Sequence, residues 1–229
     1  MSIKAVIFDM DDTLFCEEHY VMSGFRAVGK WLEHPLFYDT AKNLFQSGER
    51  KMIFNKSLQQ LRIPYDEFLI KEMLHVYRNH DPHISLHEDA VYVLNQLHNK
   101  VKLALITDGY LETQQKKFHA LKLQDYFQTV VFTDELGRKH WKPSPLPYQM
   151  VSTTLHALPE ECVYIGDNPA KDFVTAKKLG WLTIHIQRND GTYYHDTHPE
   201  THLAHHKINS LRELTKLAEL KPLFHYQTI

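Results

Sequence analysis

The sequence predicts an α/β fold, with a parallel β-sheet as its core and an all-helical segment inserted near the start of the chain. Two observations predict this class. Short apolar, β-favouring runs alternate with helical patterns, which is typical of parallel sheets covered by helices on both faces. Between Leu14 and about His87, helical periodicity alone is found. A parallel sheet collects its strand ends at one edge, so the residues that follow each strand indicate the chemistry.

The first predicted strand, Ala5 to Phe8, is followed directly by acidic side chains. Asp9 and Asp11 stand two positions apart in an Asp-x-Asp-x-Thr pattern that ends at Thr13. A buried strand that ends this way carries both carboxylates to the carboxyl edge of the sheet. There the first can serve as a nucleophile or metal ligand and the second as a proton donor. For this pair taken alone, a solvated acidic turn is the alternative.

The second motif is a strand pattern from Leu103 that ends in Thr107, Asp108 and Gly109. Residues from Leu111 onward recur at roughly helical spacing, so Asp108 and Gly109 are predicted to lie near a helix N-terminus. Free backbone N–H groups and the helix dipole make such a place attractive to phosphate. The alternative for Thr107 is a hydroxyl that caps the next helix.

Two further motifs complete the series. In the Lys-Pro-Ser-Pro sequence that begins at Lys142, the prolines keep this lysine out of a helix and predict a helix start after Ser144. From Val163, a strand pattern ends at Asp167, and Asp172 falls in the first turn of the next helix. Such an acidic pair offers oxygen ligands that suit Mg²⁺. The alternatives are a solvated surface lysine and an acid that only stabilises the helix dipole.

These four motifs, in this order from Asp9 to Asp172, resemble those of the haloacid dehalogenase-like hydrolase superfamily. The resemblance implies a Rossmann-like core that transfers phosphoryl groups through an aspartyl-phosphate. It implies that Asp9 is the nucleophile and a Mg²⁺ ligand. Asp11 would protonate the leaving group, later activate water, and touch the metal through its backbone carbonyl.

The resemblance also implies roles for the later motifs. Thr107 would bind the transferring phosphoryl group, and Asp108 and Gly109 belong to the same predicted substrate-binding loop. Lys142 would balance the negative charge on the nucleophile and the phosphate. Asp167 would be a further Mg²⁺ ligand. Asp172 would support the metal site through bound water.

Differences between this sequence and the motifs of other branches of the superfamily exclude some of the reactions that these branches catalyse. Dehalogenases lack an acid at the position of Asp11 and need no metal. Transport ATPases carry Lys-Thr-Gly after the nucleophile, where this chain has Met10 and two acids. The phosphatase and phosphomutase branches remain as possible functions. A phosphonatase requires a lysine in the cap at the Schiff-base position, and the sequence does not allow Lys51 or Lys56 to be assigned to it. A non-catalytic phosphate-binding regulatory protein is the alternative from another class, and it has no need for both a nucleophile and an acid.

The helical patterns between the first two motifs resemble the helical C1-type cap of the superfamily. We therefore expect residues 1–14 and 87–229 to form the catalytic core and residues 15–86 to form the cap. A cap contacts the part of the substrate that does not react and excludes water. Candidate substrate contacts in it are His19, Tyr20, Arg50 and Lys51.

Composition predicts the cellular setting. The formal net charge of the 229 residues is −2, which gives no electrostatic case for a nucleic-acid partner. No apolar stretch approaches the length of a membrane span. Two cysteines, Cys16 and Cys162, fit a reducing cytoplasm. We expect a magnesium-dependent phosphatase that acts on a small phosphorylated metabolite, with an oligomeric state that the sequence does not predict.

A histidine-rich segment lies between residues 195 and 206 and holds five of the 17 histidines of the chain. The spacing of His198 and His202 is that of metal ligands on a helix, so zinc is one hypothesis. Exposed loop histidines are favoured, because no cysteine or ordered acidic cluster accompanies them.

Overall fold

The computed structural model describes residues 2–189, 191 and 197–224. The chain divides into two compact units, one formed by Met1–Glu17 with Ser85–Ile229 and the other by Glu18–Ile84. Strands and helices alternate in the first unit, and helices alone build the second. In chain order the elements are β1 (Ala5–Phe8), α1 (Glu17–Trp31), α2 (Phe37–Gln46), α3 (Ile53–Gln60), α4 (Glu67–Asn79), α5 (Glu88–Leu97), β2 (Lys102–Thr107), α6 (Leu111–Ala120), β3 (Thr129–Phe132), α7 (Pro145–Leu155), β4 (Cys162–Gly166), α8 (Phe173–Lys178), β5 (Leu182–Ile186), β6 (His206–Ile208) and α9 (Lys221–Phe224).

The sheet of the first unit has the strand order β3-β2-β1-β4-β5-β6, and all its pairings are parallel. This confirms the predicted α/β class. All four residues of β1 are fully buried, as expected for a central strand with both faces covered. The chain runs outward from β1 through β2 to β3, then returns to β4 on the other side of β1. Ligands of open α/β sheets bind outside the carboxyl ends of the strands at such a reversal.

The register of β1 and β4 sets which side chains meet at that reversal. Phe8 pairs with Ile165, and the N–H of Asp9 donates a hydrogen bond of 2.9 Å to the carbonyl of Ile165. β1 ends at Phe8 itself, and β4 ends one residue after Ile165, at Gly166. The residues that follow them, Asp9 and Asp167, therefore leave the sheet side by side.

The C-terminal part of the first unit differs from the sequence prediction. The apolar pattern from Ser210 to Leu220 predicts a closing amphipathic α-helix, but the structure has a 3₁₀ helix at Leu211–Lys216 followed by α9. The buried side chains here are Leu211, Leu214 and Leu220, which are multiples of three positions apart. A spacing of three matches the 3₁₀ period rather than the α-helical one.

The helical unit contains α1 to α4 and has an aromatic core of its own. Tyr20 belongs to this core: its side chain is 3% exposed, and its hydroxyl donates a 3.1 Å hydrogen bond to the carbonyl of Tyr77. A Cβ at Gly24 would lie 2.4 Å from the Tyr77 ring, so the glycine is required for this packing. The expectation that Tyr20 contacts substrate is therefore wrong, because its polar end is used inside the unit.

The other three cap candidates, His19, Arg50 and Lys51, are exposed. The guanidinium of Arg50 stacks on the ring of Phe45 at 3.7 Å and donates to the backbone carbonyls of Phe45 and Glu49.

The predicted histidine-rich segment is described in part. His195 lies outside the described residues. His205 contacts the hydroxyl of Thr183 at 2.8 Å, and His206 lies 3.2 Å from a carboxylate oxygen of Glu219. Over the described residues, no helix is both long and apolar enough to cross a membrane.

Asp89, in the first turn of α5, joins three separate segments of the first unit. It accepts hydrogen bonds from Arg188 at 3.0 and 3.2 Å, from the Ser210 hydroxyl at 2.9 Å and from the Leu211 N–H at 2.8 Å. Although burial acts in the opposite direction, the hydrogen bonds and charge of Arg188 hold the pKa of Asp89 below its usual value. A carboxylate with a lowered folded-state pKa stabilises the fold above its unfolded pKa, roughly pH 4.

We therefore expect Asp89→Asn to lower the free energy of unfolding by about 1–3 kcal/mol at pH 7, because it leaves Arg188 without its anionic partner. The difference from the wild type should shrink as the pH falls through the folded-state pKa. Urea unfolding at pH 7 and at low pH measures both effects. Glu88→Gln, at the exposed neighbouring position, is the matched control. Equal stability of the two variants at pH 7 would contradict this account.

Candidate active site

A cavity of about 120 Å³ lies at the carboxyl ends of β1 and β4. Six carboxylates line it, against two ammonium groups and one amide. The lining residues are Asp9, Asp11, Asp12, Glu17, Asp108, Lys142, Asp167, Asn168 and Lys171. The excess of acids makes this cavity attractive to cations and, without one, repulsive to a phosphate group.

Lys142 occupies the centre of the acidic cluster. Its ammonium group lies 2.5 Å from Asp9 Oδ1 and 2.9 Å from Asp172 Oδ1, and it donates to the Tyr164 hydroxyl at 3.1 Å. The side chain is buried, so the surface-charge alternative for this lysine does not apply. Against the effect of burial, the charges of Asp172 and Asp9 raise the pKa of Lys142 well above its usual value. The lysine is therefore a fixed positive charge beside Asp9.

Asp9 and Asp167 are both buried acids with raised pKa values. Burial raises the pKa of Asp9 to about 7, with Lys142 acting against the rise and the neighbouring acids adding to it. Burial and then the charge of Asp9 raise the pKa of Asp167 well above its usual range. Oxygens of Asp9, Asp167 and Asp172 lie within 4.8 Å of one another. Three buried carboxylate oxygens this close fit a hard divalent cation, which favours oxygen ligands.

Asp172 is fully buried, and protein groups already satisfy its carboxylate. Its Oδ1 faces Lys142 and accepts from the Tyr164 hydroxyl at 3.3 Å, while its Oδ2 accepts from the Asn168 N–H at 2.9 Å. A Cβ at Gly166 would lie 2.3 Å from Asp172 Oδ2, so the glycine leaves the space that this carboxylate fills. This arrangement fits the expected supporting role better than direct ligation.

Asp11 lies on the wall of the cavity and accepts from two side chains of α6. Its Oδ2 accepts from Gln114 Nε2 at 2.7 Å, and its Oδ1 lies 2.7 Å from the ammonium group of Lys117. Its side chain is 19% exposed, so the carboxylate is accessible from the cavity while it is held from behind.

Thr107 is the last residue of β2 and is fully buried. Its hydroxyl accepts a hydrogen bond of 2.6 Å from Gln114 Nε2. The structure therefore brings Thr107 close to Asp11 through a shared donor. It does not place this hydroxyl on the lining of the cavity.

Asp108 and Gly109 connect β2 to α6. Asp108 accepts from the Thr133 hydroxyl at 2.8 Å and from the backbone N–H of Lys142 at 3.0 Å, so it fixes the lysine loop. The first N–H of α6, at Leu111, donates to Asp134 at 3.1 Å. This contact takes up one of the N–H groups that the sequence predicts for phosphate.

Several residues of the site escape sequence reasoning. Three of them are Gln114 and Lys117 in a helical pattern and Tyr164 in a strand pattern. In the sequence they look like ordinary core or solvent-exposed residues of those elements. The sequence does contain one indication of their role. Gln114 and Lys117 are three positions apart, so both lie on one face of α6. Lys171 follows Asn168 in the fourth motif, and its Nζ lies 3.4 Å from Asp108 Oδ2.

Comparisons with known proteins give a family match and named relatives. A family model described as haloacid dehalogenase-like hydrolase matches residues 6–186. The chain is 27% identical over 212 residues to a glyceraldehyde 3-phosphate phosphatase of Methanopyrus kandleri, covering 86% of this chain and 88% of that protein. It is 30% identical over 192 residues to pyrophosphatase PpaX of Bacillus thuringiensis, covering 81% and 84%.

A solved structure shows the same fold. The HAD-hydrolase YfnB from Bacillus subtilis, determined bound to magnesium, superimposes with a TM-score of 0.71 at 18% identity. The match covers 94% of this chain and 98% of that one. At this identity the likeness concerns the fold alone.

We expect Mg²⁺ to stabilise the protein more at pH 8 than at pH 6. The pKa of Asp9 is about 7 in the fold and roughly 4 in the unfolded chain, so the cation-free fold loses stability as the pH rises across that window. Mg²⁺ opposes this loss at pH 8, whereas at pH 6 it must first displace protons. The increase of Tm on adding Mg²⁺ measures the effect.

Asp167→Asn is the control, and it should lose most of the increase at both pH values. The same gain in Tm at pH 6 and pH 8, or a full gain in Asp167→Asn, would contradict a cation held by these carboxylates.

Proposed function

This chain belongs to the haloacid dehalogenase-like hydrolases, and we propose that it hydrolyses a small phosphate monoester through a phosphorylated Asp9, with Mg²⁺ as its cofactor. The predicted family and reaction class are confirmed by the family match and by relatives that are themselves named phosphatases. The observation that carries the proposal is the buried contact of Asp9 with Lys142 beside Asp167.

Asp9 is suited to attack phosphorus because a fixed positive charge lies against it. The Lys142 ammonium favours the ionised form of Asp9 and reduces the repulsion between two anions. An oxygen of Asp9 forms a bond to phosphorus while the bond from phosphorus to the ester oxygen breaks. Phosphoryl transfer depends mainly on this kind of positioning and charge neutralisation.

Asp11 is suited to move the proton. In the first step its protonated form gives a proton to the leaving ester oxygen. In the second step a water molecule attacks phosphorus and gives a proton to Asp11, and the bond between phosphorus and Asp9 breaks. Inorganic phosphate leaves, and both carboxyl groups return to their starting states.

The acidic lining supports a cation requirement. Asp9, Asp167 and the backbone carbonyl of Asp11 would hold Mg²⁺, with Asp172 supporting them. When bound, Mg²⁺ supplies positive charge that offsets the carboxylates and the phosphoryl oxygens. Without it, two lysines face six carboxylates around a dianionic substrate.

We assign the choice of substrate to residues 15–86, the proposed cap. The core residues to which roles are assigned above would act on the phosphoryl group, which all phosphate monoesters share. Discrimination must then come from contacts with the leaving group. Three expectations stay predictions: a small phosphorylated metabolite as substrate, the absence of nucleic-acid and membrane partners, and a cytoplasmic location.

Phosphate release from a panel of phosphorylated metabolites, with Mg²⁺ or excess chelator, tests the reaction. We expect turnover that chelator abolishes and added Mg²⁺ restores. Asp9→Asn should lower kcat by roughly 10⁴-fold or more, because the attacking oxygen is lost. Mass spectrometry of the quenched wild type should find one phosphoryl group on Asp9.

Asp125→Asn changes an exposed aspartate of the same unit and is the control. Near-wild-type turnover by Asp9→Asn would refute covalent catalysis through this residue, and full turnover in chelator would refute the cation.

Cap substitutions test the assignment of selectivity. His19→Ala and Lys51→Ala remove exposed polar groups, so each should change kcat/KM unequally among natural substrates. Hydrolysis of p-nitrophenyl phosphate should stay within about threefold, since this small ester has few cap contacts to lose. Lys71→Ala, at an exposed position of α4, is the control. An equal loss on both substrate types in folded variants would show that these residues support the chemistry.

A further inference from the structure

Two side chains of α6, Gln114 and Lys117, hold the carboxylate of Asp11 from behind. They lie three positions apart on one face of the helix and are 1% and 3% exposed. We propose that they are positioning residues that fix Asp11 in the orientation from which it transfers protons. The proposal rests on the proposed function, because it concerns the proton-transfer group of that reaction.

Gln114 links the proton-transfer group to the end of β2. Its Nε2 donates to Asp11 Oδ2 at 2.7 Å and to Thr107 Oγ1 at 2.6 Å. A side-chain amide has two N–H donors, and these contacts use both of them. Thr107 is anchored in the sheet, so this bridge gives Asp11 a fixed distance from the strand end.

The backbone is shaped to admit this bridge. A Cβ at Gly109 would lie 2.9 Å from Gln114 Cδ, closer than non-bonded carbon atoms approach. The residue also has a φ of +134°, a conformation that favours glycine. The glycine therefore makes room for Gln114, a role that differs from the substrate binding predicted for it.

Lys117 holds the other oxygen. Its ammonium group lies 2.7 Å from Asp11 Oδ1 and 3.7 Å from Glu17 Oε1. A buried ammonium group is tolerated only with anionic or hydrogen-bonding partners, so these carboxylates justify its position. Both oxygens of Asp11 thus have a donor from α6, and rotation of the carboxylate is restricted from two sides.

The chemical consequence depends on the leaving group. An alkoxide is a poor leaving group and needs a proton as its bond to phosphorus breaks, so a misplaced Asp11 slows its departure. p-Nitrophenolate is a good leaving group and departs without that proton. Loss of positioning should therefore slow alkyl phosphates selectively, whereas general damage to the site slows both ester types.

The sequence supplies matched variants, because positions 114 to 117 are Gln-Gln-Lys-Lys. Gln114→Leu and Lys117→Met remove the two contacts. Gln115→Leu and Lys116→Met make the same chemical changes at the two intervening positions. The measurement is kcat/KM with Mg²⁺, which reports the first chemical step, for p-nitrophenyl phosphate and for the alkyl phosphate that the wild type hydrolyses best.

We expect Gln114→Leu and Lys117→Met to lower kcat/KM for the alkyl phosphate by roughly 10- to 100-fold. For p-nitrophenyl phosphate the loss should stay below about threefold, and the control variants should change neither value. Lys117→Arg, which keeps a charged donor, should recover part of the alkyl activity. Equal losses on both esters, or the same selective loss in the controls, would overturn the proposal.

Crystal structures of Gln114→Leu and Gln115→Leu test the positioning without turnover. The Asp11 carboxylate should be displaced or disordered in the first and unchanged in the second. An unmoved carboxylate in Gln114→Leu would overturn the proposal. A wild-type protein that hydrolyses no ester would instead refute the proposed function, and the two crystal structures would still decide whether α6 positions Asp11.

Discussion

The ammonium group of Lys142 lies between the carboxylates of Asp9 and Asp172, at 2.5 and 2.9 Å, and the arrangement of the catalytic edge depends on this contact. Burying an unpaired carboxylate costs several kcal/mol. Three buried acids at the ends of β1 and β4 would therefore protonate or force the strands apart without a cation among them. The backbone N–H of the same lysine binds Asp108, which ties the loop before α7 to the end of β2.

Strand order explains why these groups meet where they do. The chain leaves β1 in one direction along the sheet and resumes on its other side at β4, so the carboxyl ends of β1 and β4 are neighbours at the reversal. In the register of these strands Phe8 pairs with Ile165, so Asp9 follows one residue beyond this pair and Asp167 two residues beyond it. A slip of this register by one residue would change the separation of the two residues along the strands by about 3.3 Å.

The sequence predicts the parallel sheet and the acids at its edge, because a polar residue directly after a buried strand must lie at the carboxyl end of that strand. Side-chain contacts between different elements are not predictable from it. The bridge from Gln114 to Asp11 joins side chains 103 positions apart, and no local pattern encodes it. The expectation for Tyr20 is wrong for a related reason: a tyrosine suits a binding surface and a core equally well, and only the packing against Tyr77 decides between them.

The charge balance of the cavity has a consequence for how ligands bind in the proposed mechanism. Six acidic side chains and two lysines line the cavity, and this excess of acids favours Mg²⁺ and opposes a phosphate dianion, so each ligand offsets the charge that opposes the other. Linkage requires this coupling to be reciprocal: the cation strengthens phosphate binding by the same factor by which phosphate strengthens cation binding. Because Lys142 is held between two carboxylates, its charge is largely neutralised in the cation-free protein. Lys142 can attract the phosphate of the substrate only when another cation neutralises part of the negative charge of Asp9.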